Sequence, residues 1–268
     1  MGRVTGAQPG APLEVMSRIR GVIFDLDGVL HVRDAALPGA AEAIARLRRA
    51  GVPMRFVTNT TRRPRRAILE ALDGMGLAVA PEELLTPAAA VCLRLKERRE
   101  RARLLIHPAL AEDFQDVEQG GDAVVLGDAG DEFRYSALNA AFRLLIGGAP
   151  LYALAANRYF KDADGLSLDC GAFVAALEYA SGAKAELFGK PAPAFFQSAL
   201  DGLGCAAQEA VMVGDDVEAD VNGALALGIR AMLVRTGKYR ESDEARLAPG
   251  GMVVDHAGDA VDRILHEL

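Results

Sequence analysis

The sequence predicts an α/β protein built on a parallel sheet, with a second α/β segment inserted into the first. Three observations predict it. Near the N-terminus, short apolar runs of strand length alternate with amphipathic helical patterns. The same alternation returns near the C-terminus, and the stretch between them carries its own strands and helices.

Gly21–Leu26 reads as a buried first strand. Pro38–Ala50 reads as a helix, with Ala40, Ala43, Ile44 and Leu47 on one face and Arg46, Arg48 and Arg49 off it; Gly51 stops it. Pro53–Thr58 is the next strand. Thr60 or Thr61 is expected to cap a helix with Pro64 in its first turn, running to about Leu72. Strand–helix alternation of this kind implies right-handed parallel crossovers. Late in the chain, Ala185–Gly189, Val211–Gly214, Arg230–Arg235 and Met252–Asp255 read as strands, and Pro193–Leu203, Glu218–Leu227 and Ala257–Leu268 as helices. In the middle, Leu104–Ile106, Ala123–Leu126 and Leu151–Ala155 read as strands, and Phe133–Ile146 and Gly171–Tyr179 as helices. The expected division is therefore a discontinuous core, 18–87 and 185–268, around an inserted α/β segment, 88–184. The charged stretch Arg94–Arg103 reads as a solvated helix face.

Bulk properties narrow the function. A chain of 268 residues, 51% hydrophobic, can bury a sizeable core. Its net charge of -7 argues against a general nucleic-acid binder, which needs clustered Lys and Arg. The three cysteines, Cys92, Cys170 and Cys205, are far apart, which argues against a thiol redox pair, a zinc knuckle or a disulfide framework. No apolar run reaches the roughly 18 residues of a membrane span. Residues 1–17 lack an apolar signal-peptide region and read as a disordered leader, with Met16 an alternative start. The default expectation is a soluble cytoplasmic protein.

Ligands of an open parallel sheet bind beyond the carboxyl ends of its strands, so the polar residues standing there are the candidate site. The first strand ends in Asp25-Leu26-Asp27-Gly28 and the second in Thr58-Asn59-Thr60. Ala185–Gly189 runs into Lys190-Pro191, and Val211–Gly214 into Asp215-Asp216, with Asp220 four residues on. Assembled carboxylates repel one another unless a cation joins them, and an all-oxygen set without His favours magnesium over zinc. Lys190 and magnesium would neutralise a phosphoryl group, and Thr58 with the N–H groups of its turn would hydrogen-bond its oxygens. Aspartate is ionised at neutral pH and competent as a phosphoryl nucleophile, which suits Asp25. Asp27 is the acid/base candidate, with Gly28 allowing the tight turn that aims it back.

Taken singly, Asp27-Gly28 is a common turn pair, Asp215-Asp216 a possible helix cap, Thr58 a possible cap and Lys190 an exposed lysine; the combination carries the reading. Competing phosphate sites fit less well. Gly189-Lys190 is followed by Pro191, which breaks a P-loop, and no G-x-G-x-x-G follows the first strand. A phospho-receiver domain orders its acidic pair, phosphorylated Asp and Lys differently, because here Lys190 precedes Asp215.

At Asp25-Leu-Asp27-Gly-Val, Val57-Thr58-Asn59, Gly189-Lys190-Pro191 and Gly214-Asp215-Asp216 with Asp220, the chain resembles the haloacid dehalogenase (HAD) superfamily. Phe56-Val-Thr-Asn-Thr-Thr61 and Val213-Gly-Asp-Asp216 resemble its subfamily with a large α/β cap between the second and third motifs. The resemblance implies a Rossmann-like core and a phosphatase acting on a small phosphomonoester, or on pyrophosphate or a phosphoramidate. Asp25 would form an aspartyl-phosphate, and Asp27 would protonate the leaving group and then activate water. Thr58, Asn59 and Lys190 would hold the phosphoryl group. Magnesium would be bound by the Asp25 and Asp215 carboxylates and the Asp27 carbonyl, with Asp216 and Asp220 behind them orienting water and Lys190. The cap loop from Asn157 to Gly171, with Arg158, Tyr159, Lys161 and Asp169, would select the leaving group. Its Asp162–Asp169 stretch is only half a calcium loop. Caps of this type often pair, which implies a homodimer through the cap. The alternatives are phosphotransfer from the same aspartyl-phosphate, as in a mutase, and a catalytically silent phosphate-binding protein.

Overall fold

The computed structural model describes residues 18–161 and 165–268, so the expected leader and Asp162, Ala163 and Asp164 lie outside the described residues. In chain order the elements are β1 (Gly21–Asp25), the hairpin β2 (His31–Val32) and β3 (Ala35–Ala36), α1 (Ala40–Arg49), β4 (Met54–Val57), α2 (Arg65–Gly74), β5 (Leu84–Leu85) and α3 (Pro87–Arg98). Then come β6 (Ala102–Leu105), β7 (Ala123–Leu126), α4 (Tyr135–Ile146), β8 (Leu151–Ala153), the hairpin β9 (Tyr159–Lys161) and β10 (Leu166–Leu168), α5 (Cys170–Ser181) and β11 (Ala185–Leu187). The chain closes with α6 (Pro193–Leu203), β12 (Ala210–Gly214), a π-helical turn (Val217–Asn222), α7 (Gly223–Leu225), β13 (Arg230–Val234), β14 (Met252–Val254) and α8 (Ala257–His266).

Two parallel sheets organise these elements. The larger has the order β14-β13-β12-β1-β4-β5, which puts β1 inside it, between β12 and β4. All five β1 residues are buried, which explains its unbroken apolar run up to Asp25. Alternation then sorts the side chains: Val22 and Phe24 pack toward α1 and α8, whereas Ile23 packs on the opposite face with α6. The smaller sheet has the order β11-β8-β7-β6. One of its faces joins the cluster that holds Ile23, through Ala123, Val125 and Tyr152; the other carries α4 and α5. Helix α6 contributes Phe195, Phe196, Ala199, Leu200 and Leu203 to that shared cluster. Each large side chain so buried contributes about 1.5–3 kcal/mol.

Four expectations need correction. Ala185–Leu187 pairs in parallel with β8, so the strand before Lys190 belongs to the four-stranded sheet, and the four polar strand ends do not share one sheet. Glu218–Leu227 is not a single α-helix: a π-helical turn precedes the short α7, with Val221 N–H reaching back to Asp216 C=O. Neither Thr60 nor Thr61 caps α2, which starts after Pro64; the Asp113 carboxylate accepts from the Arg65 N–H instead. Only the first part of the charged stretch is helical. Arg94–Arg98 closes α3, and Arg103 lies in β6, with pairs such as Arg101–Asp122 at the surface.

Candidate active site

The polar strand ends converge on a cleft of about 640 Å³ lined from both sheets. Asp25 closes β1 and is buried. The Lys190 ammonium lies 2.5 Å from Asp25 Oδ1 and 2.6 Å from Asp220 Oδ1, with all three side chains at most 7% exposed. Burial alone would drive the Lys190 pKa down, but the Asp220 and Asp25 carboxylates outweigh it and raise it, so the lysine is held charged. Asp220 is pushed upward by its own burial, against the pull of Lys190. The asymmetry is physical: Lys190 faces two carboxylates, whereas Asp220 shares its one cation with Asp25.

Close backbone approaches build this triad. A Cβ on Gly214 would lie 2.2 Å from the Cβ of Asp220, so only glycine lets the π-helical turn fold back over the end of β12. The Asp220 Oδ2 then accepts from the Asp216 N–H at 3.1 Å. A Cβ on Gly189 would fall 2.7 Å from the Leu154 carbonyl and 2.8 Å from Asn59 Oδ1. Through that gap Asn59 reaches Lys190 from both sides, its Nδ2 donating to the Lys190 C=O and its Oδ1 accepting from the Lys190 N–H, each at 2.8 Å.

The other expected residues fall as follows. Asp27 is exposed on the cleft, one residue before Gly28, whose φ of 87° makes the expected turn. Thr58 is buried at the end of β4, and its Oγ1 accepts from the Thr60 N–H at 3.2 Å, leaving its own proton free to donate. Asn59 stands beside them, but its amide is engaged with Lys190, which leaves its backbone for any ligand. Asp216 lines the cleft while its Oδ1 caps the π-helical turn, accepting from the Glu218 and Ala219 N–H groups at 3.1 and 3.0 Å. Holding Lys190 therefore falls to Asp220. From the expected cap loop, Asn157 and Asp169 reach the cleft, and the Asp169 Oδ1 accepts from the Cys170 N–H at the start of α5. Arg158 and Tyr159 are exposed.

Asp215 supplies the third carboxylate. Carboxylate oxygens of Asp25, Asp215 and Asp220 all lie within 4.8 Å of one another. Burial, reinforced by Asp25, pushes Asp215 up to about 7. Its Oδ2 accepts from the Lys238 N–H at 2.7 Å, whereas its Oδ1 is buried with no partner. A buried carboxylate oxygen without a donor is costly, and a hard divalent cation satisfies it. The donor set therefore fits Mg2+, which Asp25 and Asp215 would hold, while Asp220 is tied to Lys190.

The four motifs do not contain every residue of the site. Thr236, Gly237 and Lys238 follow β13 and press against Gly28 and Asp215. Arg62 and Asp128 form an ion pair across the cleft, joining the loop after β4 to the loop after β7. Both follow from the strand-end rule applied to every strand of both sheets.

A doubly sheeted α/β fold with a carboxylate cluster and a lysine at the strand ends defines a capped hydrolase of the HAD type. The comparisons agree: the profile for haloacid dehalogenase-like hydrolases matches residues 22–120, and a second, HAD-hydrolase-like, profile matches 187–260. The chain is 45% identical over 252 residues to human haloacid dehalogenase-like hydrolase domain-containing protein 2, covering 93% of this chain and 97% of that one. It is 41% identical over 264 residues to the phospholysine phosphohistidine inorganic pyrophosphate phosphatase of Rattus norvegicus, covering 95% and 97%. The chain belongs to the haloacid dehalogenase-like hydrolase family. Among solved structures, the p-nitrophenyl phosphatase from Archaeoglobus fulgidus superposes with a TM-score of 0.84 at 26% identity, covering 92% of this chain and all of that one. NagD from E. coli K-12 shares the fold, with a TM-score of 0.80 at 24% identity over 91% and 98% of the two chains.

Proposed function

We propose that this HAD-type hydrolase is a Mg2+-dependent phosphatase that cleaves a small phosphomonoester, or a related P–O or P–N bond, through an aspartyl-phosphate on Asp25. The observation that carries the reading is the buried Asp25–Lys190–Asp220 ion triad beside the bare Asp215 oxygen. A carboxylate in that position is buried and fixed by its contact with the Lys190 ammonium.

In the first step the Asp25 carboxylate attacks phosphorus, and the bond from phosphorus to the leaving oxygen or nitrogen breaks. Asp27, exposed to the cleft, gives its proton to the leaving atom. In the second step Asp27, now a carboxylate, takes a proton from water as the water oxygen attacks phosphorus. The bond to Asp25 breaks, releasing inorganic phosphate and restoring Asp25. Lys190 and the Thr58 hydroxyl hold phosphoryl oxygens, together with N–H groups of the Thr58–Thr60 turn. Asp25, Asp215 and the Asp27 carbonyl would hold Mg2+, which would neutralise charge among these acids and polarise the phosphoryl group.

The test is phosphate release from p-nitrophenyl phosphate and a panel of phosphorylated metabolites, phospho-amino acids and pyrophosphate, with Mg2+ and with EDTA. Turnover that needs Mg2+ and falls by about 10³-fold or more in Asp25→Asn supports the reading. Asp25→Asn retaining more than about a tenth of wild-type turnover removes the nucleophile assignment.

A further inference from the structure

The loop after β13 meets the candidate metal site in a way the four motifs do not anticipate. Gly28 and Gly237 both have left-handed backbones, with φ of 87° and 64°. A Cβ built on either would fall on the same atom, Asp215 Oδ2, at 2.0 Å from Gly28 and 2.1 Å from Gly237. The Gly237 Cβ would also lie 2.5 Å from the Gly28 Cα, so the two backbones touch over that oxygen. The Thr236 hydroxyl ties them together by donating to the Gly28 carbonyl. The next residue completes the cradle, since the Lys238 N–H donates to Asp215 Oδ2. The other oxygen, Asp215 Oδ1, is buried and bare.

We propose that Thr236–Gly237–Lys238 is a positioning element of the metal site, which captures one oxygen of Asp215 so that the other is presented to the cation. The inference rests on the Mg2+ reading above and deepens it. A carboxylate free to rotate would present either oxygen, or both, to a cation. Here two glycines leave the room that Oδ2 occupies, and one N–H holds it there. The tether to Gly28 sets this pose relative to the turn that carries Asp27, so the first strand end, the end of β12 and the end of β13 are registered on one another. Orienting a ligand in this way typically changes metal affinity by about 10–100-fold. The Lys238 side chain acts by charge and not by this hydrogen bond: its ammonium lies 3.9 Å from Asp216 Oδ2 at the rim and is attracted by the Asp215 and Asp25 carboxylates.

The experiment measures Mg2+ and Mn2+ affinity of the full chain by calorimetry and by the metal-induced rise in Tm, with no substrate present. The variants are Thr236→Val, Thr236→Ser and Gly237→Ala. Thr236→Val, which loses the tether, and Gly237→Ala, which crowds Oδ2, are expected to weaken metal binding about tenfold or more. Thr236→Ser, which keeps the hydroxyl, is expected to stay within about threefold of wild type. Should Gly237→Ala fail to fold, Thr236→Val against Thr236→Ser decides. Wild-type affinity in folded Thr236→Val overturns the inference and leaves the Mg2+ reading standing, whereas no metal binding by the wild type overturns both.

Discussion

Asn59 and Lys190 grip each other through the two ends of one amide, Nδ2 on the lysine carbonyl and Oδ1 on the lysine N–H, both at 2.8 Å. The two residues come from different sheets, since Asn59 follows β4 and Lys190 follows β11. The amide thus does for the lysine backbone what Asp25 and Asp220 do for its ammonium.

Replacing Asn59 with Ala leaves a part-buried N–H and C=O without partners, a loss of about 1–3 kcal/mol. Asn59→Ala is expected to lower the unfolding free energy by that amount, with a lower urea midpoint, and to raise KM for phosphate substrates as Lys190 loosens. Asn59→Asp, which keeps the acceptor and loses the donor, is expected to fall between it and wild type. Urea titration and steady-state kinetics check both.

Lys190→Met leaves Asp25 and Asp220 buried without their cation, and breaking one partner of such a cluster costs about 3–5 kcal/mol. Adding Asp220→Asn removes one of the stranded charges and is expected to restore part of the loss. The double-mutant coupling should be about 1–3 kcal/mol in chemical denaturation, and additivity would show that the triad is not a unit.

Asp215 is raised to about 7 by burial and by Asp25. The sign follows from linkage: between the ordinary carboxylate range and about 7, the folded metal-free protein binds more protons than the unfolded chain. This group's contribution to stability is therefore present at low pH and lost as pH rises through about 7. Mg2+ needs the ionised carboxylate, so the metal-induced increase in Tm is expected to be larger at pH 8 than at pH 6. A pH-independent increase would place the cation away from Asp215.

Gly214→Ala forces a methyl group to within 2.2 Å of the Asp220 Cβ. The π-helical turn must move off β12, at a cost of about 1–3 kcal/mol, typical of overpacking. Turnover is expected to fall about tenfold or more, because Asp220 no longer reaches Lys190. Calorimetry and kcat measurements on the one variant test both parts.

Much of this arrangement was legible in the chain. Apolar runs ending in Asp25 and Asp215, and the Met54–Val57 run broken only by Arg55 before Thr58, announce parallel strands with polar tips, and those tips do meet. The sheet of Ala185–Leu187 was not legible, because three half-buried residues carry no periodic pattern and their pairing with β8 is decided by tertiary contact. The π-helical turn was hidden for a related reason: apolar residues at Val217, Val221 and Ala224 suit a helix whichever carbonyl closes each ring. The amide of Asn59 read as a ligand for phosphate because its true partner is a backbone 131 residues away. The hydrogen bond from Lys238 to Asp215 comes from its main chain, which leaves no mark in side-chain chemistry.

Lys190 begins three residues after the last strand of one sheet, and its ammonium ends on the nucleophile candidate of the other. The charge balance at Asp25 is in that sense geared to the seating of two layers. A force or a bound molecule that parts them by an ångström would be felt first as a missing positive charge, long before either layer came apart.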